Sequence, residues 1–147
     1  MDYKKILSIF ALLIMLLVSG CSTTQARDPK MPKTAKPEAG KASVVGQVLD
    51  KDSGEPIFDV EVWLAETVRQ GEQGAYVLDI AFSPGDMTDE NGYFAVKNVP
   101  AMEYVIVVGN PYKFYTVIPN EENKPKTWNV AADNILDVGI LSVYLGP

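Results

Sequence analysis

Residues 88–109 read TDENGYFAVKNVPAMEYVIVVG, and this stretch decides the fold. It opens on Asp-Glu-Asn-Gly, and an Asn-Gly pair beside alternating apolar residues is the strongest short-range signal for a β-hairpin turn. Phe94 and Val96 then share one side of a predicted strand. Residues 104–108 are apolar on both faces, which is typical of a strand in the middle of a fold. The stretch therefore predicts a tight turn, a half-buried strand and a central strand.

The same period-two alternation continues on both sides of this stretch, and no segment sustains a helical period. The strands predicted from it are residues 44–48, 60–65, 75–82, 93–96, 104–108, 112–118 and 138–143. The residues expected to share a face within a strand are Val44, Gly46 and Val48; Val60, Val62 and Leu64; and Gly139, Leu141 and Val143. About seven short strands separated by turns predict an all-β chain folded as a single antiparallel β-sandwich.

Six short motifs follow one another in the order of a known domain family. They are VVGQVLD at 44–50, SGEPI at 53–57, VEV at 60–62, TDENGYF at 88–94, NVP at 98–100 and YVIV at 104–107. Together they resemble the carboxypeptidase regulatory-like domain, over about residues 44–143. The resemblance implies a transthyretin-like sandwich that serves support or binding without catalysis. The family's usual glycine after Pro100 is missing here, and the longer stretch between Leu64 and Thr88 predicts an extra hairpin across 66–82.

The first twenty-one residues follow the pattern of an export signal. Lys4 and Lys5 precede an apolar run at 6–18, which is too short for a membrane span of about 20 residues. Residues 17–21, LVSGC, resemble the lipobox of bacterial lipoproteins, so residues 1–20 are predicted to be a lipoprotein signal peptide and Cys21 the lipidated residue. The alternative is an ordinary signal peptide that happens to end near a cysteine. Lipidation predicts an exported protein anchored to a membrane, at the cell surface or in the periplasm-facing envelope.

Residues 21–42 are predicted to be the lipidated cysteine followed by a disordered, flexible tether rich in proline and lysine. Segment 22–42 carries five basic and two acidic residues, whereas the predicted head at 43–147 carries six basic and sixteen acidic ones. A basic tether beside anionic lipid and an acidic head repelled by it would hold the head away from the membrane. The alternative is that the charges of the linker only keep it soluble. The acidic head also argues against a nucleic-acid partner.

The composition excludes several kinds of chemistry. The chain has no histidine and a single cysteine, which removes Ser-His-Asp and Cys-His catalysis, internal disulfides and the usual zinc ligand sets. Carboxylate pairs remain, but a sandwich of this length leaves little room for the cleft that glycoside cleavage needs. The sequence therefore predicts a protein that is not an enzyme and needs no cofactor.

Two acidic loops raise calcium as the one cofactor to consider. Asp50, Asp52 and Glu55 lie in one loop and Asp89 and Asn91 in another, and Ca²⁺ takes six to eight oxygen ligands from such groups. Neither loop matches a full calcium-binding loop, and Asp and Asn are also the default residues of turns. No metal is expected, and calcium stays open as the alternative.

Exposed aromatic residues give the functional signal. Trp63, Tyr93 and Trp128 are the candidate ligand-binding residues, and Tyr112, Phe114 and Tyr115 form a further aromatic cluster. Aromatic faces with polar neighbours anchor protein interfaces and also stack on sugars. The sequence thus predicts a protein-binding or structural accessory module with an envelope protein as partner; the alternative is a carbohydrate-binding module with a glycan partner. A third interpretation has Trp63 covered by the extra hairpin or by the other sheet, and Trp128 packed on the sandwich edge.

Overall fold

Two β-sheets form the fold in the computed structural model, which describes residues 35–71 and 73–146. Within these residues there are nine strands, against about seven predicted. They are β1 (Ala42–Asp50), β2 (Glu61–Gln70), β3 (Gln73–Val77), β4 (Gly85–Met87), β5 (Tyr93–Val99), β6 (Glu103–Gly109), β7 (Tyr115–Val117), β8 (Thr127–Asn129) and β9 (Ile135–Val143). The predicted all-β sandwich is confirmed. In the described part of the chain there is no helix with the length and apolarity needed to cross a membrane.

The smaller sheet has the strand order β5-β1-β9, and the larger sheet has the order β3-β2-β6-β7. β1 pairs with β5 antiparallel but with β9 parallel, so the prediction of a purely antiparallel sandwich is wrong at this one pair. The parallel pairing arises because the chain builds the larger sheet before β9 returns beside β1. A parallel pair needs such a long crossover, which a hairpin cannot supply.

Each central strand of the larger sheet, β2 or β6, pairs along one of its edges with two short strands in succession. β2 pairs with β4 at residues 61–63 and with β3 at residues 66–70. β6 pairs with β7 at residues 107–109 and with β8 at residues 103–105. Residues 78–84 and 118–126 therefore leave the sheet and return to it, which the alternation of the sequence did not predict.

The core lies between the two sheets and contains the faces that the alternation predicts. Its fully buried large side chains include Phe94, Tyr104, Leu64 and Ile106. Gly46 also faces the core, because a Cβ there would lie 2.9 Å from the Phe94 ring and 2.8 Å from Val138. Glycine at this point thus lets a neighbouring aromatic ring fill the space of a side chain.

β9 begins earlier than predicted and contains a bulge. Its pairing with β1 shifts register between Val45 and Gln47, opposite Gly139, whose φ is 82°. Leu136 and Val138 pack against the core before the bulge, and Leu141 and Val143 do so after it. The extra residue of the bulge therefore switches which alternate positions face inward.

The region predicted as strand 75–82 is shorter in the structure. β3 ends at Val77, and the carbonyl of Asp79 accepts hydrogen bonds from the N–H groups of Phe82 and Ser83, which close a turn. The extra hairpin is confirmed, because Glu66 pairs with Val77 across β2 and β3. The strand predicted at 112–118 likewise shortens to β7, because residues 110–113 form a turn in which the Asn110 carbonyl accepts from the Lys113 N–H.

The Asp-Glu-Asn-Gly turn forms at the predicted position, but it does not join two strands of one ladder. Gly92 has a φ of 73°, and its N–H donates to the carbonyl of Asp89 at 2.9 Å. The strands on either side of the turn, β4 and β5, belong to different sheets. The turn therefore passes the chain from one layer of the sandwich to the other.

Residues 35–41, predicted to be part of the tether, are attached to the sandwich. The Glu38 N–H donates to Asn98 Oδ1 at 2.9 Å, and the Asn98 amide donates back to the Glu38 carboxylate. The Gly40 N–H donates to Asp133 Oδ1 at 2.7 Å. The boundary placed at residue 43 is therefore too late, because backbone groups of this segment find partners on the sandwich. The signal peptide, Cys21 and tether residues 22–34 lie outside the described residues.

Candidate functional site

Trp63 lies on the outer face of the larger sheet, as predicted, but it is not an open platform. It packs beside Leu78, Val105 and Val107, and its ring lies directly under Gly85, where an added Cβ would be 2.7 Å from the ring. Its indole Nε1 is buried and has no hydrogen-bond partner among the described residues. Trp63 is thus half-buried rather than fully exposed, with Gly85 of β4 against its ring and Leu78 packed on the same small cluster.

Tyr93 is buried as well, with 4% of its surface exposed. The turn before it holds its backbone, since the Tyr93 N–H donates to Asp89 Oδ1 at 2.9 Å. Two residues further along β5, the Ala95 N–H donates to Asp86 Oδ2 at 2.7 Å. The prediction that Tyr93 is exposed is therefore wrong. The two carboxylates also bind N–H groups on the edge of β5 that would otherwise be free to pair with another strand.

Trp128 is half-buried at the edge of the core. It lies opposite Tyr104 in the pairing of β6 with β8, and it packs against the core from that position. The Lys126 ammonium sits 5.0 Å from the centre of its ring, within the range of a cation–π contact. Trp128 is thus mainly a packing residue whose ring already has a cationic neighbour.

The acidic loops use their carboxylates to shape turns. Asp50 Oδ1 accepts hydrogen bonds from the N–H groups of Asp52 and Ser53 and from the Ser53 hydroxyl, and these bonds lower the pKa of Asp50. Glu55 contributes its backbone N–H, which donates to the same serine hydroxyl. In the second loop the Asn91 N–H donates to Asp89. Across residues 35–71 and 73–146, no three Asp, Glu or Cys side chains are grouped to hold a metal ion.

Four aromatic side chains remain strongly exposed at one end of the sandwich, and together they are named the aromatic tip. They are Tyr112, which is 84% exposed, and Phe114, Tyr115 and Tyr144, which are each more than half exposed. The first three form the aromatic cluster that the sequence predicts, whereas Tyr144 was not predicted because it follows the last strand and belongs to no motif. Its segment joins the others through the Thr116 hydroxyl, which donates to the Tyr144 carbonyl at 2.9 Å.

The loop that carries the tip is shaped by a glycine and an asparagine. Asn110 Oδ1 accepts from the Tyr112 N–H at 2.9 Å, which fixes the turn. Gly109 has a φ of 103°, and a Cβ there would collide with the Phe114 carbonyl oxygen and lie 3.0 Å from Leu145. The backbone of the loop is therefore packed closely, while the aromatic rings that it carries face outward.

The aromatic tip lies at the opposite end of the sandwich from residues 35–41. β1 begins at these residues and β9 runs parallel to it, so that the chain reaches Tyr144 just beyond the far end of β9. In the other sheet β6 runs from Glu103 to Gly109, and its far end leads into the tip. The end formed by residues 35–41, Asn98 and Asp133 is named the docked end.

No protein-family model matches the chain, so membership of the family suggested by its motifs is not shown. The curated proteins contain no match either. Several solved structures are similar at low identity, among them the following three. A DUF3823 family protein from Bacteroides uniformis has 15% identity and a TM-score of 0.43 over 70% of this chain and 43% of its own. A protein from Pseudomonas aeruginosa described as a candidate carbohydrate-binding protein has 18% identity and a TM-score of 0.41 over 78% and 99%.

The third is a 9R-lipoxygenase from Cyanothece, with 21% identity and a TM-score of 0.39 over 74% of this chain. The chain spans only 17% of the lipoxygenase and less than half of the DUF3823 protein. With every TM-score below 0.5, these similarities carry no argument about binding or activity.

Proposed function

We propose that this chain is a lipid-anchored envelope lipoprotein whose non-catalytic β-sandwich binds a partner protein through the aromatic tip. The observation that carries the proposal is the placement of four exposed aromatic side chains, Tyr112, Phe114, Tyr115 and Tyr144, on adjoining segments. Large exposed apolar side chains on adjoining segments are a mark of interaction sites, and tyrosine is enriched where interfaces bind most strongly. The tip, rather than Trp63 or Tyr93, is therefore the binding surface.

The position of the docked end supports a partner on the side away from the membrane. Lipidation of Cys21, proposed from the LVSGC motif, leaves residues 22–34 between the lipid and the docked end. At about 3.3 Å per residue these thirteen residues reach at most about 45 Å. A chain that leaves the membrane and enters the sandwich at the docked end presents the tip at the far side.

The resemblance of the six motifs to the carboxypeptidase regulatory-like domain also supports this function. Carboxypeptidase regulatory-like domains accompany other proteins as support or binding modules, and a sandwich that exposes four aromatic side chains at one end fits such a role. The partner is therefore expected to be an envelope protein with a complementary apolar surface.

Photo-crosslinking in living cells tests the proposal. A photoreactive phenylalanine analogue is placed at Phe114, and a matched chain carries it at Phe82, which is also exposed but lies in the returning segment outside the tip. We expect one dominant crosslinked protein from position 114 and none of that species from position 82. The crosslink should disappear in Cys21→Ala, because the unanchored chain no longer reaches its partner.

The two crosslinker positions test the protein interface at the tip, and the Cys21→Ala chain tests the need for the lipid anchor. An identical set of products from both positions would refute a specific interface at the tip. A dominant partner that persists in Cys21→Ala would keep the interface but refute the need for the anchor. Mass spectrometry of the intact membrane-extracted protein separately measures the acyl chains expected on Cys21.

A further inference from the structure

A second surface, separate from the aromatic tip, forms a groove on the outer face of the larger sheet. It has a volume of about 300 Å³ and lies between the β2–β3 hairpin and the segment before β8. Val105, which is almost fully buried, lies in the groove lining together with Thr67. Tyr76 lines the hairpin side and Pro125 the other side. This volume is at the lower end of the range of small-molecule sites, which suits one or two small rings.

The polar groups of the groove are held in place by pairing across three strands. Arg69 on β2 donates two hydrogen bonds to the Glu103 carboxylate on β6, from Nε at 3.0 Å and from Nη2 at 2.9 Å. The hydrogen bonds from Arg69 are the largest cause that lowers the pKa of Glu103, and the nearby Thr127 side chain on β8 adds a smaller contribution. A bidentate pair of this geometry fixes the direction of the remaining guanidinium donors. The groove lining therefore offers the remaining guanidinium donors of Arg69 and the hydroxyl oxygen of Thr127, together with the ring of Tyr76.

The charges of the groove favour a neutral ligand. Arg69 is paired with Glu103, and Lys124 is paired with Glu122 at 2.7 Å, so each cation lining the groove already has a carboxylate partner. An anionic ligand would have to compete with these carboxylates. An extended peptide added as a strand is also disfavoured, because β2 and β6 beneath the groove are hydrogen-bonded on both edges. A neutral ligand with hydroxyl groups and an apolar ring face neither competes with the carboxylates nor needs a free strand edge.

We propose that this groove binds a sugar residue of a neutral polysaccharide, with Tyr76 stacking on the sugar ring and Arg69 and Thr127 hydrogen-bonding to its hydroxyls. The site differs from Trp63, Tyr93 and Trp128, the residues that the sequence suggested for carbohydrate. It also shares no residue with the aromatic tip, so it does not rest on the proposed protein interface. The anchored protein would then hold a glycan on one sheet face and a protein at its tip.

Nuclear magnetic resonance of a ¹⁵N-labelled chain beginning at Ser22 tests the proposal, since this chain keeps every strand and every core residue described above. The probes are three neutral hexasaccharides: an α-1,4-linked glucan, a β-1,4-linked glucan and a β-1,4-linked N-acetylglucosamine oligomer. We expect at least one of them to shift the amide signals of residues 67–76, 105 and 127, with a Kd of about 1 mM or tighter. The signals of residues 112–115 and 144 should not move.

Three variants sharpen the test. Tyr76→Ala should weaken binding about tenfold or more, whereas Tyr76→Phe, which keeps the ring, should bind nearly as the parent chain does. Phe82→Ala, which removes an exposed aromatic ring outside both the groove and the aromatic tip, is the matched control and should leave the affinity unchanged. No localised shift with any of the three sugars, shifts centred on the tip, or equal affinity in Tyr76→Ala would each overturn the proposal. None of these outcomes bears on the crosslink from Phe114, so the two proposals fail independently.

Discussion

Both ends of the sandwich contain loop residues with positive φ angles, but the two ends use different residue types at these positions. At the docked end Asn98 and Asp133 adopt positive φ angles of 55° and 58°, and their side chains bind the backbone of residues 38–40. At the aromatic tip the corresponding position is Gly109, and the loop exposes its rings. Asn and Asp tolerate left-handed backbone and supply a hydrogen-bonding side chain, whereas glycine alone permits a close backbone contact. One end is thus built to hold the chain and the other to present apolar surface.

The largest expected effect is at Gly109. Gly109→Ala should lower the free energy of unfolding by about 3 kcal/mol, because the left-handed backbone is strained for alanine and its Cβ has no room beside the Phe114 carbonyl. Gly40→Ala at the docked end is the matched control, since Gly40 also has a positive φ but open space around it. That variant should lose only about 1 kcal/mol. Urea denaturation of both variants checks the difference, and equal losses would show that the close contact at the tip contributes nothing.

A pH-dependent effect is expected from Tyr104, which lies beneath the docked end. Its hydroxyl donates to the Pro100 carbonyl at 3.1 Å, and burial, with a smaller contribution from Glu66, raises its pKa to about 12. The folded state then retains this proton above pH 10, where the unfolded chain releases it. Stability is therefore fully present below about pH 10 and is lost as the pH rises toward 12.

Thermal melts of the parent chain and of Tyr104→Phe at intervals from pH 9 to about pH 12 measure this effect. The variant lacks the phenol, so it should begin slightly less stable and then lose less stability across this range than the parent chain does. Parallel melting curves for the two proteins would contradict a buried, proton-retaining Tyr104.

Substitutions at Asn98 test the hydrogen bonds that attach residues 35–41 at the docked end. Asn98→Ala should cost about 2 kcal/mol, because it loses the reciprocal hydrogen bonds with Glu38 and places alanine at a φ of 55°. Asn98→Gly relieves the backbone strain and should cost only about 1 kcal/mol from the lost hydrogen bonds. Hydrogen exchange at the Glu38 amide should become faster in both variants. Unchanged exchange in either one would mean that residues 35–41 are held by other contacts.

The smallest effect on stability is expected at the tip side chains. Phe114→Ala and Tyr144→Ala should each change the free energy of unfolding by no more than about 0.5 kcal/mol, because their rings face outward. The same variants should lose the protein partner found by crosslinking. A loss of stability of about 2 kcal/mol or more would instead identify them as packing residues and would remove the contrast between the two ends.

Much of the fold follows from local sequence. Strands at residues 44–48, 60–65 and 104–108 were predicted from alternation alone, because a period of two separates the two faces of any strand. The positive φ of Gly54 and Gly92 was equally local, since such turns require a residue without a side chain. The extra hairpin at 66–77 followed from the length of the segment between two predicted strands.

The short strands and the site were less predictable. β4 and β8 have only three residues each, and their hydrogen bonds depend on β2 and β6 rather than on a pattern of their own. The groove beside Tyr76 needs Arg69, Glu103 and Thr127 from three strands that are far apart in the chain. Local signals cannot place such residues side by side, because register across a sheet depends on long-range pairing.

The sequence by itself determined the strand faces, the tight turns and the acidic head of this protein. Only the tertiary structure decided which aromatic residues are exposed: it set Gly85 of β4 against the Trp63 ring, buried Tyr93 and brought Tyr144 beside Thr116 of β7. The physical reason is that alternation tells which face of a strand a side chain occupies, but not what packs on that face. The cover comes from segments distant in the chain, whose positions exist only once both sheets have formed.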